Sequence, residues 1–169
     1  MTEDELKANF PVEIRDFPKR RIAYIRVLDS YKDGVVLKAF EELINWSKQM
    51  SLFSSETIFG MSIDNPMVTP QEKYRYEVCI TIPMDLKVEH SFIQTMTLPK
   101  CKYAVSSVSG SFNHVATAIK YLFNDWMINS SFEPEQQAGL EIFNDKQNIL
   151  NWEHLNLDLC VPVKQIKLL

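Results

Sequence analysis

The sequence predicts an α+β domain in which a β-α-β-β module is used twice. Three observations carry this: two amphipathic helical segments, strand-like apolar runs on either side of each, and matched residues at nearly constant spacing between the two halves of the chain. At 169 residues the chain suits one globular domain, residues 1–169, with a sizeable core. The repeat halves are expected over roughly residues 11–83 and 92–168.

The first ten residues are polar and expected to fray, with order beginning near "FPVEIRDF". "RRIAYIRVL" sets Ile22, Tyr24 and Arg26 on one side and Ala23, Ile25 and Val27 on the other, the mark of a largely buried strand, before "DSYKDG" turns the chain. Over residues 35–50 the period changes: Val36, Phe40, Leu43 and Met50, joined by Leu37 and Ile44, form an apolar stripe, while Glu41, Glu42, Asn45 and Lys48 face water. Trp46 stands at the border of that stripe. "TIFGMSI" and "YRYEVCITIP" then read as strands separated by the loop "DNPMVTPQEK".

The second half follows the connector "DLKVEHSFIQTMTLPK", which has room for a short strand ending at Leu98. "CKYAVSSVSG" is the next strand, and Val115, Ile119, Leu122 and Trp126, with Ala118 and Phe123 beside them, line one side of a helix over residues 113–129. "GLEIFN" and "LNLDLCVPVKQI", parted by "DKQNILNWEH", complete the second β-α-β-β order. Ala23 and Ala104, Ser30 and Ser111, and Tyr31 and Phe112 share one offset; Trp46 with Trp126 and Pro83 with Pro162 nearly share it. On this alignment Glu141 answers to Met61 and Phe143 to Ile63.

Composition narrows the function. Eighteen basic and 22 acidic side chains, interspersed along the chain, give a net charge of -4 and argue against direct nucleic-acid binding. A 46% hydrophobic content with eight prolines and four glycines belongs to a compact fold, not a disordered one. With no charged apolar leader and no apolar run of membrane length, a soluble cytoplasmic protein without membrane contact is expected.

No cofactor or metal is expected. Gly34, Gly60 and Gly110 lack phosphate-loop spacing; His90, His114 and His154 are dispersed; and Cys79, Cys101 and Cys160 form no CxxC pair. Cys79 and Cys160, at strand positions, read as small buried hydrophobes.

Glu141, between Leu140 and Ile142, is the residue that breaks an apolar run. It is either a solvent-facing spacer or the charged wall of an apolar recess, where weak solvation would suit it to a cationic ligand or to proton transfer. Aromatic side chains would make the second role useful, and Tyr24, Tyr76, Tyr103, Trp46, Trp126, Phe112 and Phe143 are available.

The segments "RRIAYIRVLDSYKDGVVLKAFEELINWSKQ", "EKYRYEVCITIP", "KYAVSSVSGSFNHVATAIKYLFNDWM" and "LEIFND" followed by "LDLCVPV" resemble, in order and spacing, the effector-binding domain of AraC-type regulators and the gyrase-inhibitor-like (GyrI-like) proteins. The resemblance implies an antiparallel sheet with helices packed on one face and a central ligand cleft between the halves. It also implies that Glu141 is the pocket carboxylate, with Phe143 in place of a neighbouring tyrosine, Trp126 closing the second helix and Tyr103 opening the strand before it. Two departures stand out: the missing hydroxyl at Phe143, and the turns "VSG" and "LDS" at Val108–Gly110 and residues 28–30.

The resemblance favours a freestanding module that binds small hydrophobic, cationic or planar molecules as a sensor or sequestering protein, with Tyr24, Tyr76, Tyr103, Trp46, Trp126, Phe112, Phe143 and Met61 around Glu141. The natural ligand stays open, as does a protein partner. Two alternatives remain: a hydrolase of electrophilic toxins acting through Glu141, and a protein-interaction module acting on gyrase.

Overall fold

A computed structural model describes residues 1–30, 32, 34–64 and 69–169. The repeat match at Tyr31 and the loop reading over residues 65–68 lie outside the described residues. In chain order the elements are α1 (Glu3–Asn9), β1 (Glu13–Phe17), β2 (Arg20–Leu28), α2 (Val35–Gln49), β3 (Ile58–Ser62), β4 (Arg75–Ile82), β5 (Gln94–Leu98), β6 (Cys101–Gly110), α3 (Phe112–Tyr121), α4 (Met127–Asn129), β7 (Phe132–Pro134), β8 (Gly139–Phe143) and β9 (Leu155–Gln165). The fold is α+β with antiparallel strands, and β2-α2-β3-β4 and β6-α3-β8-β9 are its two β-α-β-β modules.

The chain forms two compact units, Pro18–Lys100 and Met1–Phe17 with Cys101–Leu169. In the first, antiparallel strands run in the order β3-β4-β2-β5. Ala23, Ile25, Val27, Val78, Ile80 and Ile58 share one buried face, and α2 packs on β2 and β4 through Val36, Phe40, Leu43 and Ile44. The second unit has the order β1-β6-β9-β8, with β7 also paired to β9. Its covered face carries Ala104, Ser106, Val108, Leu157, Leu159 and Val161, all buried, and α3 packs on β6 and β9.

Two local expectations need correction. Residues 1–10 do not fray: Thr2 and Glu5 form a reciprocal capping box at the start of α1, and Phe10 behind it is buried against His114 and Tyr121. The second helix is not uniform: after Tyr121 it widens into a π-helical turn over Leu122–Trp126 before α4. Val115, Ala118 and Leu122 are buried, and widening to i→i+5 bonding rotates the later residues about the axis, so Met127 takes the next buried position. Ile119, expected inside, is 37% exposed, and Trp126 is only half-buried.

All three cysteines are buried. Among the described residues no helix is long and apolar enough to cross a membrane.

Candidate functional site

Strand register decides which of the candidate residues share a face, because neighbouring side chains alternate and cross-strand partners point the same way. Glu141 pairs with Leu159, which pairs with Ser106; Phe143 pairs with Leu157, which pairs with Val108. Glu141 and Phe143 therefore stand on the buried face of their sheet, the carboxylate half-buried and the ring buried. Gly139 precedes them in β8 and has no side chain to add to that face.

The other candidates in this unit lie elsewhere. Tyr103 is buried on the opposite face, where its hydroxyl donates to the Ala138 carbonyl at 3.4 Å and its ring lies 5.0 Å from that of Phe17. Trp126, in the π-helical turn, stacks on Phe132 of β7 at 6.1 Å. Phe112, at the first turn of α3, is 65% exposed. A depression of ≈ 260 Å³ beside Phe143 is lined by Asp145, Asn148, Asn151, His154 and Asn156. Its polar groups partly serve the loop itself: Asn148 donates to Asp145 at 2.7 Å, and the Asn151 side chain accepts from the Glu153 amide.

In the unit Pro18–Lys100, Trp46 is buried in α2. Tyr76 lies on the same sheet face as Val27, with its hydroxyl 1.7 Å from where a Cβ on Gly60 would sit. Only a residue without a side chain at position 60 admits the phenol there. Tyr24 and Met61 lie on the opposite face, Tyr24 paired with Cys79 and donating to the Gln94 side chain at 2.9 Å, Met61 paired with Glu77. Burial is the main cause that raises the Tyr24 phenol above its ordinary pKa, with the Glu77 carboxylate adding to it and Arg26 opposing.

Register also corrects the repeat alignment. Arg26 with Ser107, Glu77 with Asp158, and Cys79 with Cys160 hold the same offset as Ala23 with Ala104. Met61 pairs with Glu77 as Ile142 pairs with Asp158, so Met61 answers to Ile142 and Glu141 answers to Gly60. The expected match of Glu141 to Met61 was one residue out, and in a strand one residue exchanges faces.

Sequence reasoning missed the two acids this offset relates. Glu77 is 0% exposed, and Arg26 binds one of its oxygens through Nε at 2.8 Å and through Nη2. Asp158 accepts from Ser107 at 2.6 Å, from Asn144 at 2.9 Å and from Arg15 at 3.1 Å. Burial alone would raise the Asp158 carboxyl, but these three donors hold it below its ordinary value. A signal was present: "EVC" in β4 and "DLC" in β9 repeat an acid two residues before a cysteine at the common offset.

A model for the "GyrI-like small molecule binding domain" matches residues 10–164. In sequence the chain is similar to the SPbeta prophage-derived putative transcriptional regulator YosT of Bacillus subtilis, 32% identical over 94 residues that make up 56% of this chain and 62% of the relative. It is also similar to the DNA gyrase inhibitor of Escherichia coli, 25% identical over 135 residues covering 78% and 83% of the two chains. The match thus spans less than two thirds of YosT.

Three solved structures share the fold: the EcmrR C-terminal domain (TM-score 0.70, 14% identity, 93% and 99% of the two chains), a hydrolase encoded by lin2189 from Listeria innocua (0.65, 12%, 96% and 96%), and SAV2435 bound to tetraphenylphosphonium (0.55, 13%, 90% and 93%). The whole EcmrR chain, solved in complex with DNA, is longer, and the present chain spans 61% of it. With a family match across nearly its whole length, the chain belongs to the GyrI-like small-molecule-binding domain family.

Proposed function

We propose that the chain binds small hydrophobic molecules that are cationic or planar, and that it acts as a sensor or sequestering module in which Glu141 compensates ligand charge. The observation that supports this reading most is the half-buried Glu141 carboxylate on a strand face it shares with Phe143, in register with Leu159. A carboxylate with reduced solvation attracts an organic cation more strongly than an exposed one does, and an adjacent ring adds apolar area and an electron-rich face. Trp126, in the same unit, is proposed as a further aromatic contact. The tetraphenylphosphonium bound by SAV2435, a protein of the same fold, is a lipophilic cation of the class proposed here.

The test is calorimetric titration with tetraphenylphosphonium and with neutral triphenylphosphine oxide, using the wild type and Glu141→Gln. Loss of a desolvated charge pair is expected to weaken the cation by about tenfold or more, near 1.4 kcal/mol, and to leave the neutral compound unchanged. Equal affinities in both proteins would reject the role of Glu141. The likeness to the E. coli DNA gyrase inhibitor supports a second reading, a module acting on gyrase as a protein partner, whose signature would be inhibition of supercoiling without any small molecule.

A further inference from the structure

The repeat-related acids Glu77 and Asp158 are satisfied differently. Both oxygens of Asp158 have donors: Ser107 and Asn144 on Oδ1, Arg15 on Oδ2. Both contacts from Arg26 to Glu77 fall on Oε1, and Oε2 is buried with no hydrogen-bond partner among the described residues. A bare carboxylate oxygen shut away from water costs about 1–3 kcal/mol or more, so a fold that keeps one calls for an explanation.

We propose that Glu77 anchors a second site, separate from Glu141, for planar organic cations bearing N–H donors, of the guanidinium or amidinium class, and that Arg26 is its tethered resident. The chemistry of the resident defines the class: a flat delocalised cation already sits on this carboxylate, 5.9 Å from the Tyr24 ring. The surroundings suit such a guest. Met61 is the cross-strand neighbour of Glu77, and the adjoining row on the same face holds Tyr24, Cys79 and Phe59, all buried.

Geometry supplies the way in. Glu77 has no exposure, but the Arg26 side chain is 38% exposed, so rotation of Arg26 toward water opens the carboxylate. Arg75, one row further on, is held by Asp64 at 2.7 Å and is not the missing donor. An incoming ligand with two parallel N–H groups could satisfy both oxygens, which Arg26 in this geometry does not. Because a tethered resident competes at an effective concentration on the order of millimolar, the wild type should bind such cations weakly, and removing the tether should unmask the site.

The experiment titrates benzamidinium into the wild type, Arg26→Ala, and the double variant Arg26→Ala with Glu77→Gln, with tetraphenylphosphonium, which has no N–H donor, as control. Arg26→Ala is expected to bind benzamidinium about tenfold or more tighter than the wild type, the double variant to lose that gain, and the control to be the same in all three. If Arg26→Ala alone folds poorly, low-millimolar guanidinium chloride should raise its melting temperature where equal sodium chloride does not. The proposal is overturned if Arg26→Ala gains no affinity, if the gain survives in the double variant, or if guanidinium and sodium act alike, which would leave Oε2 a seat for water only. None of these outcomes depends on Glu141.

Discussion

The two β-α-β-β modules carry an acid at the same place on their last strand and surround it in opposite ways. In the module of β6 and β9, Asp158 is tied to three elements, with Arg15 from β1, Ser107 from β6 and Asn144 just past β8. In the module of β2 and β4, Glu77 has Arg26 alone among the described residues. The edge strands explain the contrast. β1 pairs with β6 and sets Arg15 beside Tyr103; β5 pairs with β2 and sets Met96 beside Ile22, the residue that answers to Tyr103. One edge brings a cation to its acid and the other a thioether, so a single edge position separates a saturated acid from one with an oxygen to spare.

The largest effect should come from removing each acid's arginine. Arg26→Ala strips a buried carboxylate of its hydrogen-bonded arginine and should cost about 3 kcal/mol, whereas Arg15→Ala leaves Asp158 two donors and should cost about 1 kcal/mol. Urea unfolding of the two variants measures this, and equal losses would mean that the acids are equivalent after all.

Glycines in the equivalent strands β3 and β8 sharpen the comparison. Gly60→Ala drives a methyl into the Tyr76 phenol and should destabilise by about 2 kcal/mol, while Gly139→Ala meets only an ordinary contact 3.7 Å from the Cys160 carbonyl and should stay within about 1 kcal/mol of the wild type.

The smallest effect is acid sensitivity. The Arg75 side chain and amide hold the Asp64 carboxyl down to about 2. Asp158, lowered by its donors against the cost of burial, shifts the same way. For a carboxyl whose folded pKa lies below its unfolded one, the stabilisation is complete above the unfolded value, near about 3.9, and is lost as pH falls through the folded one. Stability should therefore fall between about pH 4 and about pH 2, and Asp158→Asn and Asp64→Asn should each flatten that decline. An unchanged slope in both would show that other groups govern it.

The elements were largely legible where periodicity is strong. The stripe of Val36, Phe40 and Leu43 announces α2, and the apolar runs around Ala23 and Ala104 announce β2 and β6. Even the short helix α1 was written in the chain, as Thr2 followed three residues later by Glu5, and was overlooked because its neighbours are polar. The widened turn after Tyr121 was not legible: a change from i→i+4 to i→i+5 bonding leaves no mark in composition, and it put Met127, not Trp126, in the buried position.

The sequence by itself determined most of the secondary elements, their twofold order and the family, because local periodicity and turn chemistry are written in neighbouring residues. Tertiary structure alone decided which face each strand residue occupies and which donors reach each acid. A shift of one residue in pairing turns a side chain through the sheet, and so Glu141 answers to Gly60 and not Met61. Arg15 and Asp158 stand far apart in the chain, and only strand pairing brings their charges within hydrogen-bonding distance.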